Sequence, residues 1–510
     1  MSATETTLVG RAVAASRSRL SAITMYRLVL LGLGALAVIA VAESALGLIS
    51  YPPLALLATL ASALVASYGS NRGISRLFGV VPHSESSLIT GLLLFFIFPP
   101  SLHVLSLLGV ALSAVLASGS KYILAVRGRH LFNPAAAGAF LLTLTGFYFS
   151  GWWIGTPPML LFVVLVSAAV LYRLRRVDMA LVFVATAGSI MVVRSLVAGI
   201  EPTTALVWPL TSSPMIFFAG LMLSEPLTQP PLRRQRMAYA VIIGFFFSVP
   251  MHLGSVYVAP ESALLIGNGL AFLFGQRQTI ELTLQRQTQL TPSTVEFAFR
   301  PTGRLKFRAG QYLELTLPHR RADNRGLRRV FSIASAPGSE LVRIGTRVPE
   351  QASTFKQALA ALPEGTVLTA TSIAGDFLLP KDPTIPLLLV AGGIGITPFA
   401  SQLAELRDHP RDVVLVYTVR DDRDIGYRDV LEAAGARVFL VSRAPLTGLP
   451  DRWTALTDTR VSDEVLAAAA PDITTREVHV SGPPVMVQEV ADACRKLGAR
   501  SVRTDYFSGY

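Results

Sequence analysis

Residues Leu387 to Leu403 read LLLVAGGIGITPFASQL. An unbroken apolar run of strand length comes first, then a turn containing Gly392, Gly393 and Gly395, then Thr397 and Pro398, where a helix can open because proline is tolerated at its first position. A strand, a glycine turn and a helix start make the first half of a parallel α/β unit. The glycines let a phosphate approach the backbone, and the free N–H groups and positive end of the helix dipole attract one. Pro398 stands where the third glycine of G-x-G-x-x-G would be, so taken alone the turn is as often only a tight connection.

The sequence on either side fixes the context. Downstream, DVVLVYTVR, a helix near 427–434, ARVFLVSR, a helix near 462–469 and REVHVSG predict a parallel α/β nucleotide domain over residues 383–510. Upstream, TVEFAFRP, GQYLELTLP, RRVFSIAS, LVRIGTRV and TVLTATSI alternate apolar and polar positions, as half-buried antiparallel strands do, and predict a small β-barrel over residues 278–382.

Before residue 278 the texture is apolar. Hydrophobic residues make up 51% of the 510-residue chain, charged ones only 15%, and the mean hydropathy is +0.51, so much of the chain must lie away from water. Apolar runs near 26–48, 52–69, 86–102, 104–120, 133–150, 158–172, 178–198, 209–226, 237–250 and 260–275 predict a membrane domain over residues 26–277 with about ten helices. Several runs are shorter than the roughly 20 residues a straight span needs, which suits re-entrant or broken helices.

Charge tests that count independently. The net +12 is +10 over residues 1–277 and +2 over 278–510. Basic residues gather in the N-terminal tail (1–25), at Arg72 and Arg76, at Lys121, Arg127 and Arg129, at Arg173, Arg175 and Arg176, at Arg233, Arg234 and Arg236, and at Arg277. The loops near 50, 102, 153, 203 and 255 carry no Lys or Arg, and only Arg194 breaks the alternation. By the positive-inside rule this predicts an integral plasma (inner) membrane protein with the N-terminus and the C-terminal half in the cytoplasm, and it accounts for the basic excess without nucleic acid as a partner. The single cysteine, Cys494, excludes a disulfide framework, a Cys-ligated iron–sulfur cluster and a Cys-rich zinc site within the chain, and no metal site is expected. Haem needs paired axial ligands at bilayer depth, whereas His83, His103, His130 and His252 fall in loops or at span ends, so no haem is expected either.

The C-terminal half, about residues 280–510, resembles the ferredoxin–NADP reductase superfamily, a flavin barrel followed by a nicotinamide-nucleotide domain. The resemblance is carried by Arg329, Val330, Phe331 and Ser332 as an R-x-Y-S signature with Phe for Tyr, by Gly310, Gln311 and Tyr312, by Ser353 and Thr354 in EQASTF, by Gly375, Asp376 and Phe377 in AGDFLLP, by Ser481, Gly482, Pro483 and Met486 in VSGPPVM, and by Asp505 and Phe507 near the C-terminus. Arginine suits a diphosphate because its planar fork donates paired hydrogen bonds and keeps its charge. The resemblance implies FAD held by Gln311, Tyr312, Arg329, Val330, Phe331, Ser332, Ser353, Thr354 and Phe377, with Phe331 against the isoalloxazine and Ser332 near its N5. It implies NADH or NADPH held by Gly392, Gly393, Gly395, Thr397, Pro398, Gly482, Pro483 and Met486, and catalytic positions at Ser332, Ser481 and Phe507 along the hydride path. Ser481 stands where the family has cysteine. Ser442 and Arg443 resemble a Ser-Arg pair that takes a 2′-phosphate, and an exposed arginine at a strand end is as often a bland surface charge; FAD against FMN stays equally open.

The membrane half resembles the ten-helix, NqrB/RnfD-like flavin-carrying subunit of sodium-pumping NADH:quinone reductases and Rnf-type electron-transport complexes. SSLITGLLLFFIFPP (86–100), SKYILAVRGRHLFNPAAAGAF (120–140) and LMLSEPLTQPP (221–231) carry it. It implies two inverted halves and candidate membrane-site residues Lys121, His130, Asn133, Glu225 and Thr228. The family's flavin-accepting threonine has no counterpart in Ser212, Ser213, Pro214 and Met215, so no covalent flavin is expected there, and a non-covalent second flavin or a quinone stays open. Glu43, Arg194 and Asn268 are further polar residues that hydrocarbon would penalise. Together these features predict a membrane-bound FAD-dependent NAD(P)H oxidoreductase passing electrons to a quinone, a second flavin or a redox partner protein. The alternatives are a redox-driven ion or solute transporter, and a reductase merely anchored in lipid.

Overall fold

The computed structural model describes residues 25–79, 84–126, 129–250, 252–253, 256–257, 260–274, 280–319, 327–407 and 411–507. The N-terminal tail to residue 24, His83, Arg127 and Arg277 lie outside them. The chain divides into two compact units, Met1–Gln278 and Thr279–Tyr510.

In the first unit a helix falls on each of the ten apolar runs: α1 (Met25–Ala45), α2 (Pro53–Leu77), α3 (Ser84–Ile97), α4 (Val104–Ile123), α5 (Pro134–Leu144), α6 (Leu160–Leu174), α7 (Val177–Val197), α8 (Pro202–Thr211) continuing as α9 (Met215–Phe217) and a π-helical turn to Met222, α10 (Arg233–Ser248) and α11 (Pro260–Phe274). Among the described residues only α1, α2, α4 and α7 are long and apolar enough to cross a membrane, with the bent 202–222 pair as a fifth if counted as one span. Ten full-length spans are therefore not what the helices show, and local chemistry explains the shortening. Pro99 and Pro100 stop α3, Gly146 at φ +69° follows α5, Arg175 at φ +55° ends α6, and Pro214 interrupts the 202–222 segment at a 43° bend. Gly91–Phe98 and Phe217–Ser224 are buried on every side and form the centre of the unit.

Polarity in this unit is distributed inside out. Leu31, Val38, Val65, Leu105, Leu161, Leu181 and Val193 are exposed, whereas Ser67, Asn71, Ser75, Ser87, Ser113 and Ser118 are buried. The small polar side chains tie helix to helix: Ser67 donates to the Ser87 carbonyl at 2.8 Å, Asn71 to the Ser87 hydroxyl at 2.7 Å and Ser70 to the Ser118 hydroxyl at 2.8 Å.

The second unit holds two sheets. The first contains β1 (Ile280–Thr291), β2 (Thr294–Pro301), β3 (Tyr312–Thr316), β4 (Arg328–Ser332), β5 (Val342–Arg347) and β6 (Val367–Ala374), in spatial order β4-β3-β6-β1-β2-β5 and all antiparallel. An Ile333–Ile344 bridge joins the two ends, so the sheet closes into a barrel around Leu282, Phe297, Leu313, Leu315 and Ile344. The short helix α12 (Thr354–Ala360) follows β5.

The second sheet contains β7 (Leu387–Gly392), β8 (Val413–Thr418), β9 (Arg437–Ser442), β10 (Trp453–Thr457), β11 (Glu477–Gly482) and β12 (Ser501–Tyr506), in order β10-β9-β8-β7-β11-β12 and parallel throughout. Helices α13 (Thr397–Leu406), α14 (Arg428–Ala433), α15 (Asp463–Ala469) and α16 (Pro484–Lys496) cover it. Every residue of β7 is buried: Leu387, Leu389 and Ala391 join the core on one face, Leu388 and Val390 the core on the other. That two-sided burial is why the segment reads as a continuous apolar run. After β7 the chain moves first to β8 on one side and last to β11 on the other, so the strand order reverses between β7 and β11, where ligands of open α/β sheets bind.

Arg476, 1% exposed, stitches the amino ends of these strands together. It donates to Asp472 at 2.7 and 2.8 Å, to Asp412 at 2.6 Å and to the Leu387 carbonyl at 3.0 Å. Those bonds hold the Asp412 and Asp472 carboxyls below their usual 3.8. A depressed folded-state pKa adds stability above the unfolded value and loses it as the pH falls through the folded one. Thermal melts of the C-terminal unit should therefore show a loss of stability below about pH 4 that Asp472→Asn diminishes, and Arg476→Ala should cost about 3–5 kcal/mol at neutral pH. Equal melting temperatures for Arg476→Ala and wild type would contradict this.

Candidate functional site

A cavity of about 490 Å³ lies at the carboxyl ends of β7, β8, β9 and β11. Gly392 and Gly393 form its floor, Val419 and Arg420 follow β8, Ser442 and Arg443 end β9, Pro483 and Met486 open α16, and Thr291, Ser293, Thr294 and Arg347 of the barrel close the far side. The three turn glycines have different duties. A methyl on Gly392 would overlap the Met486 sulfur and one on Gly395 the Ser481 carbonyl, so both serve close packing of strand ends. Gly393 is exposed at φ +53°, with no atom within 4 Å of where a methyl would stand, and it supplies the room for a phosphate. Thr397 is buried and donates its hydroxyl to the Ile394 carbonyl, and Pro398 is buried beside it, so these two build the turn rather than the cavity surface.

Ser442 is 2% exposed; its hydroxyl donates to the Arg420 carbonyl at 2.9 Å and accepts from the Ala444 N–H at 3.2 Å. What the rim offers an anion is therefore Arg420 and Arg443 rather than the Ser-Arg pair. Ser481 is fully buried and its hydroxyl has no partner among the described residues. It is not among the residues that line the cavity. Phe507 is half-buried and its N–H donates to the Gly482 carbonyl at 2.9 Å, which fixes it at the strand end next to Pro483.

On the barrel, β4 collects the signature residues. Arg329 lies over the Phe355 ring at 5.0 Å, and Phe331 packs against the same ring at 6.0 Å. Phe355 directly follows Ser353 and Thr354; Ser353 caps α12 and the Thr354 hydroxyl meets His319 Nε2 at 3.3 Å. Arg329, Phe331, Ser353 and Thr354 thus form one cluster. The register pairs Leu313 with Phe331 and Leu315 with Arg329, so both signature residues share the inward face with core leucines. Phe331 is only 6% exposed, and its ring joins the barrel core. The outward face pairs Tyr312 with Ser332 and Glu314 with Val330, and Val330 is 56% exposed. Gln311 donates to the Gly375 carbonyl at 3.3 Å and so locks the barrel strand to the closing segment. Phe377 packs on Phe399 at 5.5 Å and on His479 at 5.0 Å, within the core of the nucleotide domain. The donor set nevertheless suits a flavin nucleotide: a guanidinium and two hydroxyls at one end of β4 for an anionic diphosphate, and Tyr312, Ser332 and an exposed Val330 at the other for a flat ring. Cys494 contributes nothing here, since burial pushes its thiol up to about 12.

In the first unit the candidate polar residues also meet. Lys121 donates to the Thr90 hydroxyl at 3.0 Å and the Ser86 hydroxyl at 3.3 Å. His130 Nε2 lies 3.4 Å from Glu225 Oε1, and the Thr228 hydroxyl 3.3 Å from Glu225 Oε2. Asn133 caps α5 through Ala136 N–H at 3.1 Å, and its own N–H donates to Asn268 Oδ1 at 2.9 Å; Asn268 in turn donates to Tyr239 at 2.9 Å. A small cavity of about 50 Å³ opens among Thr90, Asn133, Ser224 and Glu225, with Met25 and Val29 as its apolar wall. Glu43 and Arg194 stand apart from this cluster, near the ends of α1 and α7, where Arg194 donates to the Ser248 carbonyl. Met215 is fully buried. The sequence patterns missed Glu261, wholly buried and accepting from Ser150 at 2.6 Å and Trp152 at 2.9 Å; a carboxylate beside Pro260 at the start of an apolar run was the available signal. They also missed the barrel wall of the large cavity, because Thr291, Thr294 and Arg347 belong to no motif.

With this geometry in hand, similarity to known proteins is informative. Residues 389–492 match the oxidoreductase NAD-binding domain. The chain is similar to a flavohemoprotein of Pseudomonas putida, 26% identical over 236 residues, covering 46% of this chain and 59% of that protein. It is also similar to a flavohemoprotein of Bacillus cereus, 30% identical over 190 residues, covering 35% and 47%. A ferredoxin NADP+ reductase from Neisseria gonorrhoeae, solved with bound FAD and NADP, superposes with a TM-score of 0.38 at 18% identity, over 45% of this chain and 98% of that one. The chain spans about half the length of these two curated relatives. The C-terminal unit therefore carries an oxidoreductase NAD-binding domain in its parallel sheet.

The two kinds of glycine separate experimentally. Gly393→Ala should leave the melting temperature within a few degrees and weaken NAD(P)H binding by about tenfold, since a left-handed alanine costs only about 1–2 kcal/mol and the methyl enters the phosphate space. Gly395→Ala should instead lower the melting temperature markedly. Equal nucleotide affinity in Gly393→Ala and wild type, by fluorescence titration, would remove Gly393 from the site.

Proposed function

We propose that this protein is a membrane-bound NAD(P)H oxidoreductase in which the C-terminal unit takes electrons from the nucleotide and the helical unit carries the acceptor. The observation that bears most weight is the cavity at the reversal of strand order, with Gly393 open on its floor and barrel residues on its far wall. FAD, when bound, supplies the change from a two-electron donor to one-electron transfer. Everything else falls to the chain. Gly393 and the start of α13 receive the nucleotide diphosphate, Arg420 and Arg443 meet a 2′-phosphate where one is present, and Pro483 and Phe507 border the nicotinamide end. Arg329 with Ser353 and Thr354 holds the flavin diphosphate, while Tyr312 and Ser332 present the outer face of the barrel to the ring.

The membrane assignment is supported by the inside-out polarity of the first unit and by its four long apolar helices. For the acceptor we favour a quinone or a non-covalent second flavin near Lys121, Glu225 and His130, because the cavity there joins an apolar wall to the Glu225 carboxylate, which His130 approaches to 3.4 Å, and to Thr90, which accepts from Lys121. Buried Met215 offers no covalent attachment. The same charged cluster supports a second reading, a transporter of the Rnf or Nqr type in which electron flow drives an ion through this unit.

Proteoliposomes reconstituted with the full chain separate the readings. With NAD(P)H outside and a quinone in the bilayer, the oxidoreductase reading predicts nucleotide oxidation coupled to quinone reduction, unchanged by ionophores, and at least tenfold slower in Glu225→Ala. An ion gradient that builds with turnover selects the transporter. Oxidation supported only by soluble acceptors, with no response to the bilayer quinone, contradicts both.

A further inference from the structure

One wall of the nucleotide cavity is unusual in its backbone. Tyr427 lines the cavity, is 3% exposed, and sits at φ +56°, ψ +33°, a left-handed conformation that a bulky residue adopts only where its surroundings enforce it. The enforcement comes from the barrel. The Tyr427 hydroxyl fills the space above Gly345 on β5, where any methyl would overlap it. Directly across the ladder from Gly345 is Glu296 on β2, 4% exposed. Burial raises the Glu296 carboxyl above its usual value, against the pull of Arg343, Arg286 and the Tyr427 hydroxyl itself. Arg343 approaches Glu296 Oε1 only to 3.9 Å, and both Glu296 Oε2 and the Tyr427 hydroxyl are buried without a well-formed hydrogen bond. The Tyr427 hydroxyl and the Glu296 carboxyl thus meet over Gly345, buried together, where an interaction between them weighs more than it would in water.

The segment that carries Tyr427 is itself a strap. Gly426 N–H donates to the Tyr417 hydroxyl at 3.3 Å, Tyr417 reaches the Asp424 carbonyl at 3.4 Å, and Arg420, Asp424 and Gly426 line the cavity with Tyr427. Moving the strap moves the wall. We propose that Tyr427 is a latch for the nucleotide site: its hydroxyl, seated over Gly345 beside the Glu296 carboxyl, fixes the 420–427 wall to the flavin barrel and so holds the cavity in shape for nucleotide. Tyr427 is a positioning residue, acting on the nucleotide through the wall it anchors. The inference rests on the reading of the cavity as the NAD(P)H site.

The test uses the full chain in detergent, titrated with NADH and with NADPH by fluorescence. Tyr427→Phe should weaken binding by about tenfold, the usual loss for a hydrogen bond to a charged partner. Gly345→Ala, a change on the barrel that lines no part of the cavity, should weaken it comparably by displacing the hydroxyl. Glu296→Gln, which keeps an acceptor, should stay within about threefold of wild type. Flavin content should be unchanged in all three, and amide exchange over 421–428 should slow on nucleotide binding in wild type but not in Tyr427→Phe. Unchanged affinity in Tyr427→Phe overturns the latch, whatever happens to its melting temperature. A wild type that binds neither nucleotide overturns the reading of the cavity, and the latch with it.

Discussion

The C-terminal unit depends on two absent methyl groups. At Gly392 the end of the central strand lies against Met486 and Pro483, and at Gly395 the turn lies against the carbonyl of Ser481. These contacts draw the carboxyl ends of β7 and β11 together at the point where the strand order reverses. Side chains at either position would spread the strands and remove the floor of the cavity. Close packing there also explains why Ser481 is buried, why Phe507 can bond to Gly482, and why the one glycine left open, Gly393, is the one facing the cavity.

Most strands of this unit were legible because they are either buried on two faces, as β7 is, or alternate cleanly, as β3 does. β10 and β12 were not singled out, since as edge strands of the sheet they are half-exposed and carry no apolar run. The glycine turn was readable as a unit, but its division of labour was not, because packing and phosphate access demand the same residue type. Phe331 and Phe377 show a different limit. An aromatic residue in a signature can point into the core or out of it, and only the register, Leu313 opposite Phe331, decides which. Arg347 and Tyr427 carry no motif at all; they are brought to the cavity by the docking of barrel and sheet.

The helical unit reverses the polarity logic of the other. Its surface carries leucine and valine, its interior combines an apolar core with buried serine, threonine and asparagine, and hydrogen bonds between small polar side chains tie its helices together. Apolar runs located its helices, but length alone did not say which of them cross. Prolines and left-handed residues cut several short, and the two central segments are enclosed by protein. Of the candidate polar residues, Asn133 and Glu225 line one small cavity, His130 and Thr228 contact Glu225, and Lys121 donates to Thr90 on the cavity wall, although more than 100 residues separate the first from the last.

The central claim is that the C-terminal unit holds a flavin which NAD(P)H reduces through the cavity at Gly393. Anaerobic stopped-flow mixing of the purified full chain with NADPH and with NADH, following the visible flavin absorbance, tests it most directly. The account predicts about one acid-releasable FAD per chain that bleaches in a saturable, nucleotide-dependent phase. A chain that retains no flavin when supplied with FAD, or a bound flavin that neither nucleotide bleaches, would contradict it.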